Sequence, residues 1–187
     1  MQISEIEIPG CYEIFPKKAE DTRGNFIKTY HEDTFFNHVL KKIVFVEEYY
    51  SKSYHNVMRG LHFQTPPNDH VKMVYCVSGK ILDAIVDLRV GSPTYGEFRT
   101  FELSGENAKI LILDKGVAHG FYTQSKEAIV MYKVSSMYAQ NHDKGILWNS
   151  VNIPWPKKEP ILSERDRSFP SFQNYESPFE YLKNNHD

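Results

Sequence analysis

Short apolar runs alternate with turn residues along most of the chain, at a spacing of roughly 8–12 residues that is typical of β-sandwiches and barrels. The runs that predict strands are Val71–Val77, Lys80–Leu88, Glu97–Leu103, Lys109–Leu113 and Ala128–Val134. Turn sequences such as Ser78-Gly79 and Gly91-Ser92-Pro93 separate them. Connections this short exclude parallel crossovers, so the pattern predicts an all-β fold with antiparallel pairing.

The run Lys80–Leu88 has two unlike faces, since side chains alternate across a strand. One face consists of Leu82, Ala84, Val86 and Leu88, and the other consists of Ile81, Asp83, Ile85 and Asp87. We expect the apolar face to form the interface between two sheets. The mixed face has two interpretations. Alternation alone favours a solvated surface, and the alternative is a polar barrel interior.

Three segments outside these strands have patterns of their own. Apolar residues at helical spacing, with a capping residue at the start, predict a short helix near Asp33–Lys41. Three prolines make Trp148–Pro160 an irregular wrapping segment. The tail from Ser171 is rich in Asn, Ser and charge and is expected to be partly flexible. The chain contains no repeat or linker, so residues 1–187 are expected to form one domain.

Composition narrows the class of protein. With 22 Lys and Arg against 24 Asp and Glu, the formal net charge of −2 excludes the basic surface of a nucleic-acid-binding protein. Aromatic residues make up 14% of the chain, which excludes disorder for its bulk. Apolar stretches such as Ile110–Leu113 are too short to span a membrane, and the N-terminus lacks the features of a signal peptide. Two cysteines make no disulfide framework, so we expect a cytoplasmic protein.

A few polar residues stand in apolar surroundings and are candidates for chemistry. His62, in the segment Arg59–Pro67, is either a general base beside an anion site or a half-buried residue at a strand end. Lys72, inside an apolar run, either extends to solvent or holds a desolvated charge in a site. Asp83 would be its partner if the two strands formed a hairpin at Ser78-Gly79.

Three later segments are open to a structural and a functional interpretation. His119 lies between glycines that would let the backbone approach a ligand closely, or it is a structural residue at a loop end. Tyr132 by itself is typical of a core position. The charged stretch Leu162–Arg167 by itself is typical of a solvated surface.

The sequence lacks the spacing of a metal or phosphate site. Gln64 stands where a second histidine would complete a His-x-His pair with His62, and no glutamate follows at suitable spacing. His62, His70 and His119 therefore form no evident metal triad. Gly-rich phosphate loops and the HExxH, GxSxG and CxxC motifs are also absent from the sequence. A catalytic metal is not predicted.

A series of motifs carries a family resemblance. The motifs are Asp21–Phe26, Arg59–Gln64, Val86–Arg89, Ser92–Gly96, Ala118–Phe121, Tyr132–Lys133 and Ile161–Asp166. Their order and spacing over roughly residues 10–170 resemble the dTDP-4-dehydrorhamnose 3,5-epimerase family. The resemblance implies a cupin-type jelly roll (a double-stranded β-helix) with a short helix and a C-terminal wrapping segment. It also implies strand-exchanging homodimers, no metal or other cofactor, and activity on nucleotide-linked 4-keto-6-deoxy sugars in deoxysugar and polysaccharide synthesis.

The resemblance assigns catalytic roles that suit proton transfer next to a ketone. His62 is the expected base, with Asp166 orienting its imidazole. Lys72 is expected at the enolate oxygen, with Asp83 holding it. Tyr132 is expected to return a proton to the opposite face of the sugar, because a single base returning its own proton would restore the original configuration.

The same resemblance implies a larger set of substrate-binding residues. They are Arg23, Phe26, Lys28, Glu47, Tyr49, Arg59, His119, Tyr138, Asp143 and Arg167. Arg23 and Arg59 match positions that bind the nucleotide diphosphate, His119 would contact the sugar, and Tyr138 would stack near the substrate. Three departures from the family pattern fall in this set. Lys28 replaces a usual Glu, Glu47–Ser51 replaces a Gln-Asp-Asn-like stretch, and Asp143 replaces a common Glu.

We therefore expect an epimerase that inverts C3, C5 or both of a 4-keto-6-deoxyhexose, with altered recognition of the nucleotide or sugar. One alternative is a single-centre epimerase acting on a CDP-, GDP- or other dTDP-linked sugar. Another is a non-catalytic cupin that binds a sugar nucleotide, although a binder has no need of an acid and a base on opposite faces. A metal-dependent cupin enzyme is a third.

Overall fold

Two antiparallel sheets form the body of the computed structural model, which describes residues 1–33 and 43–182. The strands are β1 (Gln2–Glu5), β2 (Tyr12–Phe15), β3 (Lys18–Asp21), β4 (Gly24–Ile27), β5 (Glu47–Tyr54), β6 (Met58–Gln64), β7 (Lys72–Ser78), β8 (Lys80–Asp87), β9 (Phe98–Ser104), β10 (Ile110–Leu113), β11 (Val117–Thr123), β12 (Glu127–Val134) and β13 (Asp143–Gly145). A one-turn helix, α1, spans Glu164–Arg167, and a 3₁₀ turn spans Phe172–Asn174.

The strand order makes the fold a jelly roll. One sheet has the order β1-β2-β10-β7-β12-β5 and the other β13-β6-β11-β8-β9, while β3 and β4 form a separate hairpin. From β6 to β12 the chain crosses repeatedly between the two sheets, as in jelly rolls. The all-β prediction is confirmed, and the five predicted strands lie within one residue of β7, β8, β9, β10 and β12.

The connection at Ser78-Gly79 differs from the expected hairpin. It carries the chain from β7 in one sheet to β8 in the other, and β7 pairs with β10 and β12. Lys72 and Asp83 are therefore not cross-strand neighbours, and any interaction between them must cross the space between the sheets.

Strand β11 was not expected, because its glycines resemble a loop. Gly120 is instead needed for close strand packing: a Cβ built on it would lie 2.7 Å from the carbonyl oxygen of Arg59 on β6. A glycine that lets two backbones approach has the same sequence signature as a glycine in a turn. This close packing places His119 on β11 directly opposite His62 on β6.

The interpretation of β8 as having a solvated mixed face is wrong, and the alternative of a barrel interior is right. Asp83 and Asp87 are both fully buried, and Ile81 and Ile85 belong to the apolar cluster between the sheets, which also contains Val74, Val130 and Phe121. The opposite face of β8 packs outward, beneath the C-terminal part of the chain.

The C-terminal part of the chain covers the outer face of the five-stranded sheet. Ile153 and Phe179 pack against Ala84 and Val86 in a second buried cluster, and the segment Trp148–Pro160 is irregular, as predicted. The tail from Ser171, expected to be partly flexible, continues this packing as far as Phe179, which is only 4% exposed, whereas Leu182 is 78% exposed. The expectation that the apolar face of β8 forms the interface between the two sheets is therefore wrong, because the C-terminal part of the chain covers that face.

Two further expectations concern helices. The helix predicted near Asp33–Lys41 lies, apart from its first residue, outside the described residues. None of the helices within residues 1–33 and 43–182 has the length and apolar content required to cross a lipid bilayer.

Candidate active site

A cavity of about 320 Å³ opens between the two sheets, at the end of the interior where the apolar cluster stops. The transition is visible along β7, where Lys72 lines the cavity and Val74 and Cys76 belong to the apolar cluster. The charged and hydrogen-bonding side chains that line the cavity are Glu47, Tyr49, Ser51, Arg59, His62, Gln64, His70, Lys72, His119, Tyr132, Ser136, Tyr138, Asp143 and Arg165.

His62 forms a hydrogen-bonded pair with Asp166. The Oδ1 atom of Asp166 accepts from Nε2 of His62 at 2.8 Å, and its Oδ2 atom accepts from the backbone N–H of Gly60 at 3.4 Å. Asp166 lies in α1, whose N-cap Ser163 accepts a hydrogen bond from the Asp166 backbone N–H. This short helix therefore fixes the carboxylate beneath the imidazole.

The charge of Asp166 determines which nitrogen of His62 is free. Burial alone would raise the pKa of Asp166, but the hydrogen bonds from His62 and Gly60 outweigh it and hold that pKa below its usual range. A carboxylate can only accept, so the proton of a neutral His62 lies on Nε2. The lone pair of Nδ1, which has no hydrogen-bond partner among the described residues, is left to act as a base.

Tyr132 lies on β12, in the sheet opposite to His62. Its side chain is 6% exposed, and its ring stacks on Tyr49 with centroids 4.8 Å apart and planes at 18°. Its hydroxyl lies 3.4 Å from Oγ of Ser51. Burial raises the pKa of the phenol well above its ordinary value, so Tyr132 keeps its proton at neutral pH and can serve as an acid.

Lys72 is a buried cation on the strand next to Tyr132. It is 7% exposed, and within the described residues no carboxylate lies at ion-pair distance from it. Burial lowers the pKa of Lys72 to about 8, although the charges of Asp143 and Asp83 oppose the shift. The side chain is thus an ammonium at neutral pH, held in the cavity where an anion would be stabilised most strongly.

A second histidine–carboxylate pair adjoins the first. Nε2 of His119 lies 2.6 Å from Oδ2 of Asp83, and both residues are buried. Burial raises the pKa of Asp83 and lowers the pKa of His119. The expected contact between Asp83 and Lys72 is thus replaced by one between Asp83 and His119, and the second oxygen of Asp83, Oδ1, is buried with no hydrogen-bond partner among the described residues.

The mouth of the cavity carries charges of both signs. Arg165 pairs with Asp143 at 2.8 Å, and Glu47 accepts a hydrogen bond from the backbone N–H of Tyr138 at 2.8 Å. Arg59 donates from Nε to Oγ of Ser53 at 2.8 Å. These residues, with the exception of Ser53, line the cavity.

Four predicted binding residues lie away from the cavity. Arg23, Phe26 and Lys28 are exposed residues in or beside the β3–β4 hairpin, and Arg23 pairs with Asp21 of the same hairpin. Arg167 is exposed, whereas Arg165 of the same helix lines the cavity. The sequence Glu164-Arg165-Asp166-Arg167 contains no signal that distinguishes the two arginines, because the difference arises from the direction of α1.

The sequence analysis also missed cavity residues with uncharged polar side chains. Gln64 donates to the carbonyl oxygen of Asn68 and accepts from the backbone N–H of Ala139, and Ser136 and His70 lie beside it. Alternation with His62 along β6 is the signal that could have indicated Gln64. Within residues 1–33 and 43–182 no three His, Cys, Asp or Glu side chains are grouped as metal ligands.

The geometry suits the removal of a proton from one side of a bound molecule and its replacement from the other. A base (His62) and a protonated acid (Tyr132) line one cavity from opposite sheets. The buried ammonium of Lys72, on the strand beside that of Tyr132, lines the same cavity, where it can stabilise negative charge that develops during the transfer.

Comparison with known proteins gives consistent matches over most of the chain. The family model described as dTDP-4-dehydrorhamnose 3,5-epimerase matches residues 5–174. The chain is 40% identical over 168 residues to the Shigella flexneri dTDP-4-dehydrorhamnose 3,5-epimerase, covering 89% of this chain and 93% of that protein. It is 36% identical over 169 residues to the Streptomyces niveus dTDP-4-dehydrorhamnose 3-epimerase, covering 89% and 82%.

A solved structure extends the similarity to three dimensions. The crystal structure of dTDP-6-deoxy-D-glucose-3,5-epimerase from Legionella pneumophila, in complex with dTDP-4-keto-L-rhamnose, superposes with a TM-score of 0.92 and 30% sequence identity. The match covers 97% of this chain and 99% of that one.

Proposed function

Since the chain belongs to the dTDP-4-dehydrorhamnose 3,5-epimerase family and is a nucleotide-sugar epimerase, we propose that His62 and Tyr132 invert carbons next to the ketone of a 4-keto-6-deoxyhexose. One observation carries the proposal: a base and a protonated phenol face the same cavity from opposite sheets. Inversion requires two groups on opposite faces of the carbon, and this cavity offers them.

The first step is the removal of a proton from carbon. The hydrogens on C3 and C5 flank the 4-keto group, so breaking either C–H bond leaves an electron pair that delocalises onto the ketone oxygen as an enolate. Nδ1 of His62 accepts the proton, and the imidazolium that results is stabilised by Asp166 at 2.8 Å.

Lys72 stabilises the enolate. A desolvated ammonium beside a developing oxyanion lowers the barrier more than the same charge in water would, because the local dielectric screens it less. The pKa of about 8 keeps Lys72 charged at neutral pH. His119 lines the cavity on the strand next to His62 and contacts the sugar.

The second step sets the configuration. Tyr132 donates its phenolic proton to the face opposite His62, the enolate returns its electron pair to carbon, and the ketone re-forms. The phenolate regains a proton from solvent and the imidazolium loses one, so the enzyme returns to its initial state. If His62 returned a proton instead, the carbon would regain its original configuration, with isotope exchange only where the imidazolium had first exchanged its proton with solvent.

A nucleotide diphosphate would lie at the mouth of the cavity. Arg59 and Arg165 provide cations there that suit phosphate oxygens, while Tyr138 provides an exposed aromatic face for stacking. The Legionella relative binds a dTDP-linked keto sugar, which supports the same class of substrate for this chain. Lys28 and Tyr49, where the family pattern has Glu and a small amide, support a difference in nucleotide or sugar preference.

In a homodimer, the β3–β4 hairpin of one copy would contact the cavity of the other. The hairpin pairs with no other strand among the described residues, and it exposes Phe26 at 66% beside Arg23 and Lys28. An exposed aromatic flanked by cations suits a nucleotide in the cavity of a second copy, as the family's strand exchange implies. Single-centre inversion is a second candidate, supported by the 36% identity to the Streptomyces niveus 3-epimerase.

The test is proton NMR of dTDP-, CDP- and GDP-4-keto-6-deoxyhexoses incubated with the enzyme in D2O. Deuterium at C3, C5 or both, with inverted product, is expected, and the fastest substrate identifies the preferred nucleotide. Deuterium at one carbon only would establish the single-centre candidate. Tight binding without deuterium in any substrate would contradict the proposed chemistry and leave a binding protein.

A further inference from the structure

The strand beside Tyr132 carries a second tyrosine that the mechanism does not use. On edge strand β5, Tyr49 lies directly opposite Tyr132 of β12 in the sheet register. The two rings are nearly parallel, at 18°, with centroids 4.8 Å apart. Tyr49 lines the cavity, whereas the next residue, Tyr50, projects from the other face of the strand and is 67% exposed.

The ring of Tyr132 is contacted on more than one side. Tyr49 covers one face, and His119 approaches the ring nearly edge-on, at 6.1 Å and 75°. Ser51, also on β5, lies 3.4 Å from its hydroxyl. Tyr49 is 41% exposed and Tyr132 only 6%, so Tyr49 lies between the proposed acid and solvent.

We infer that Tyr49 is a positioning residue that holds the ring of Tyr132 against the enolate and so sets how often proton removal ends in inversion. The inference rests on the proposed role of Tyr132 as the acid. Stacked aromatic pairs contribute more than the burial of their area alone, and this pair restricts the ring that carries the reacting hydroxyl.

The consequence follows from the two fates of the enolate. It is reprotonated either by His62, which restores the original carbon, or by Tyr132, which inverts it. Proton transfer requires the phenol at hydrogen-bond distance from the carbon, so a ring free to tilt loses the competition more often. The rate of proton removal depends on His62 and does not depend on the orientation of the Tyr132 ring.

Tyr49 also shields Tyr132 from solvent. Burial raises the pKa of Tyr132 and also raises that of Tyr49 to about 12, so both phenols stay neutral at neutral pH. Loss of the outer ring would admit water beside Tyr132 and lower its pKa toward that of a free phenol.

The experiment measures inversion per deuterium incorporated, in D2O, for Tyr49→Leu, which removes the ring, and Tyr49→Phe, which keeps it. Tyr49→Leu is expected to lower this ratio by roughly threefold to tenfold, as the loss of a stacked pair would, and to lower total deuterium incorporation by less than it lowers inversion. Tyr49→Phe is expected to keep the wild-type ratio, because the stacked ring is retained. Tyr50→Leu is the matched control and should change nothing.

Two results would overturn the inference. One is a wild-type ratio in Tyr49→Leu, or equal losses of exchange and inversion. The other is a loss in Tyr49→Phe as large as in Tyr49→Leu, which would assign the effect to a hydroxyl contact with substrate. Circular dichroism checks folding, and Tyr49→Met replaces the leucine variant if the latter does not fold. Full inversion by Tyr132→Phe would instead contradict the proposed function, which separates the two failures.

Discussion

Two histidine–carboxylate pairs lie side by side on neighbouring strands, yet the structure gives them different surroundings. His62 and His119 are opposite each other in the β6–β11 register, and each uses Nε2 to meet a carboxylate, at 2.8 Å and 2.6 Å. The His62 side chain is 28% exposed to the cavity and that of His119 only 4%. The carboxylates differ as well. Hydrogen bonds hold the pKa of Asp166 below its usual range, whereas burial raises the pKa of Asp83.

The comparison shows that pairing alone does not make a base. A histidine that cycles its proton needs access to substrate and solvent together with a carboxylate that stays ionised, and the His62–Asp166 pair has both. The His119–Asp83 pair is enclosed, and burial disfavours charge on either member. We therefore propose the first pair for catalysis, and propose for the second a structural role beside the cavity and a sugar contact through His119.

The largest expected effect comes from removing the accessible imidazole. His62→Ala should reduce deuterium incorporation into substrate in D2O by roughly 10³-fold, because general-base catalysis contributes about 10²–10⁴-fold. His119→Asn should retain measurable exchange, since its imidazole is not the base. Calorimetric titration with the nucleoside diphosphate should give similar affinity for both variants. Full exchange by His62→Ala would contradict the assignment.

Removing the charge of Asp166, the carboxylate of the accessible pair, should reduce the exchange rate nearly as much. Asp166→Asn should lower the exchange rate by roughly 10²-fold, because a neutral amide neither fixes the Nε2–H tautomer nor stabilises the imidazolium. The melting temperature should also fall, by a few degrees, since Asp166 is a buried hydrogen-bonded group whose contacts to His62 and Gly60 are altered. An activity equal to wild type would show that Asp166 is only structural.

The ammonium of Lys72 predicts a pH dependence of the activity. Lys72 acts as a cation, so kcat/KM should fall above pH about 8, by roughly tenfold per pH unit, as this proton is lost. The contribution of Lys72 to the free energy of unfolding has the opposite sign. This contribution increases between pH about 8 and pH 10.5, the ordinary pKa of a lysine. In that range the unfolded chain still binds the proton that the folded chain has lost.

Replacing Lys72 by a side chain that stays protonated distinguishes the titration of Lys72 from that of the other groups in the site. Lys72→Arg keeps its charge throughout this range, so any activity it retains should persist to higher pH. An alkaline limb at the same pH in both proteins would assign the limb to another residue.

The smallest effect on catalysis is expected from the enclosed carboxylate. Asp83→Asn should lower exchange by less than about tenfold, and its main effect should be on stability. Altering a buried hydrogen-bonded group costs about 1–3 kcal/mol, which for a chain of this size is a fall in melting temperature of roughly 3–10 °C. A larger loss of activity for Asp83→Asn than for Asp166→Asn would reverse the comparison.

The sequence predicts the fold well where pattern and packing agree, and poorly where they do not. The strands around β7 and β12 follow from apolar alternation and turn residues. The orientation of β8 does not, because its purely apolar face is covered by a C-terminal segment 60 or more residues later, and its two aspartates face inward. Alternation identifies two faces, but only tertiary packing determines what covers each one.

The candidate site shows the same division. The residue types at His62, Lys72 and Tyr132 indicate proton transfer, and the structure brings all three to one cavity. The contact between Asp83 and His119 depends on strand pairing across β8 and β11, which local sequence does not specify. The hairpin residues around Phe26 lie outside the cavity of their own chain, and the proposal that they serve a second copy rests on the family resemblance rather than on any local pattern.

The most direct test of opposed acid and base is the reaction of Tyr132→Phe in D2O, followed by NMR at the carbons next to the ketone. We expect the variant to incorporate deuterium without inversion, because His62 still removes a proton, exchanges it with D2O while it is an imidazolium and returns deuterium to the same face, whereas the opposite face has no acid. Inverted product at the wild-type rate would contradict the account, since the second proton would then come from a group other than Tyr132.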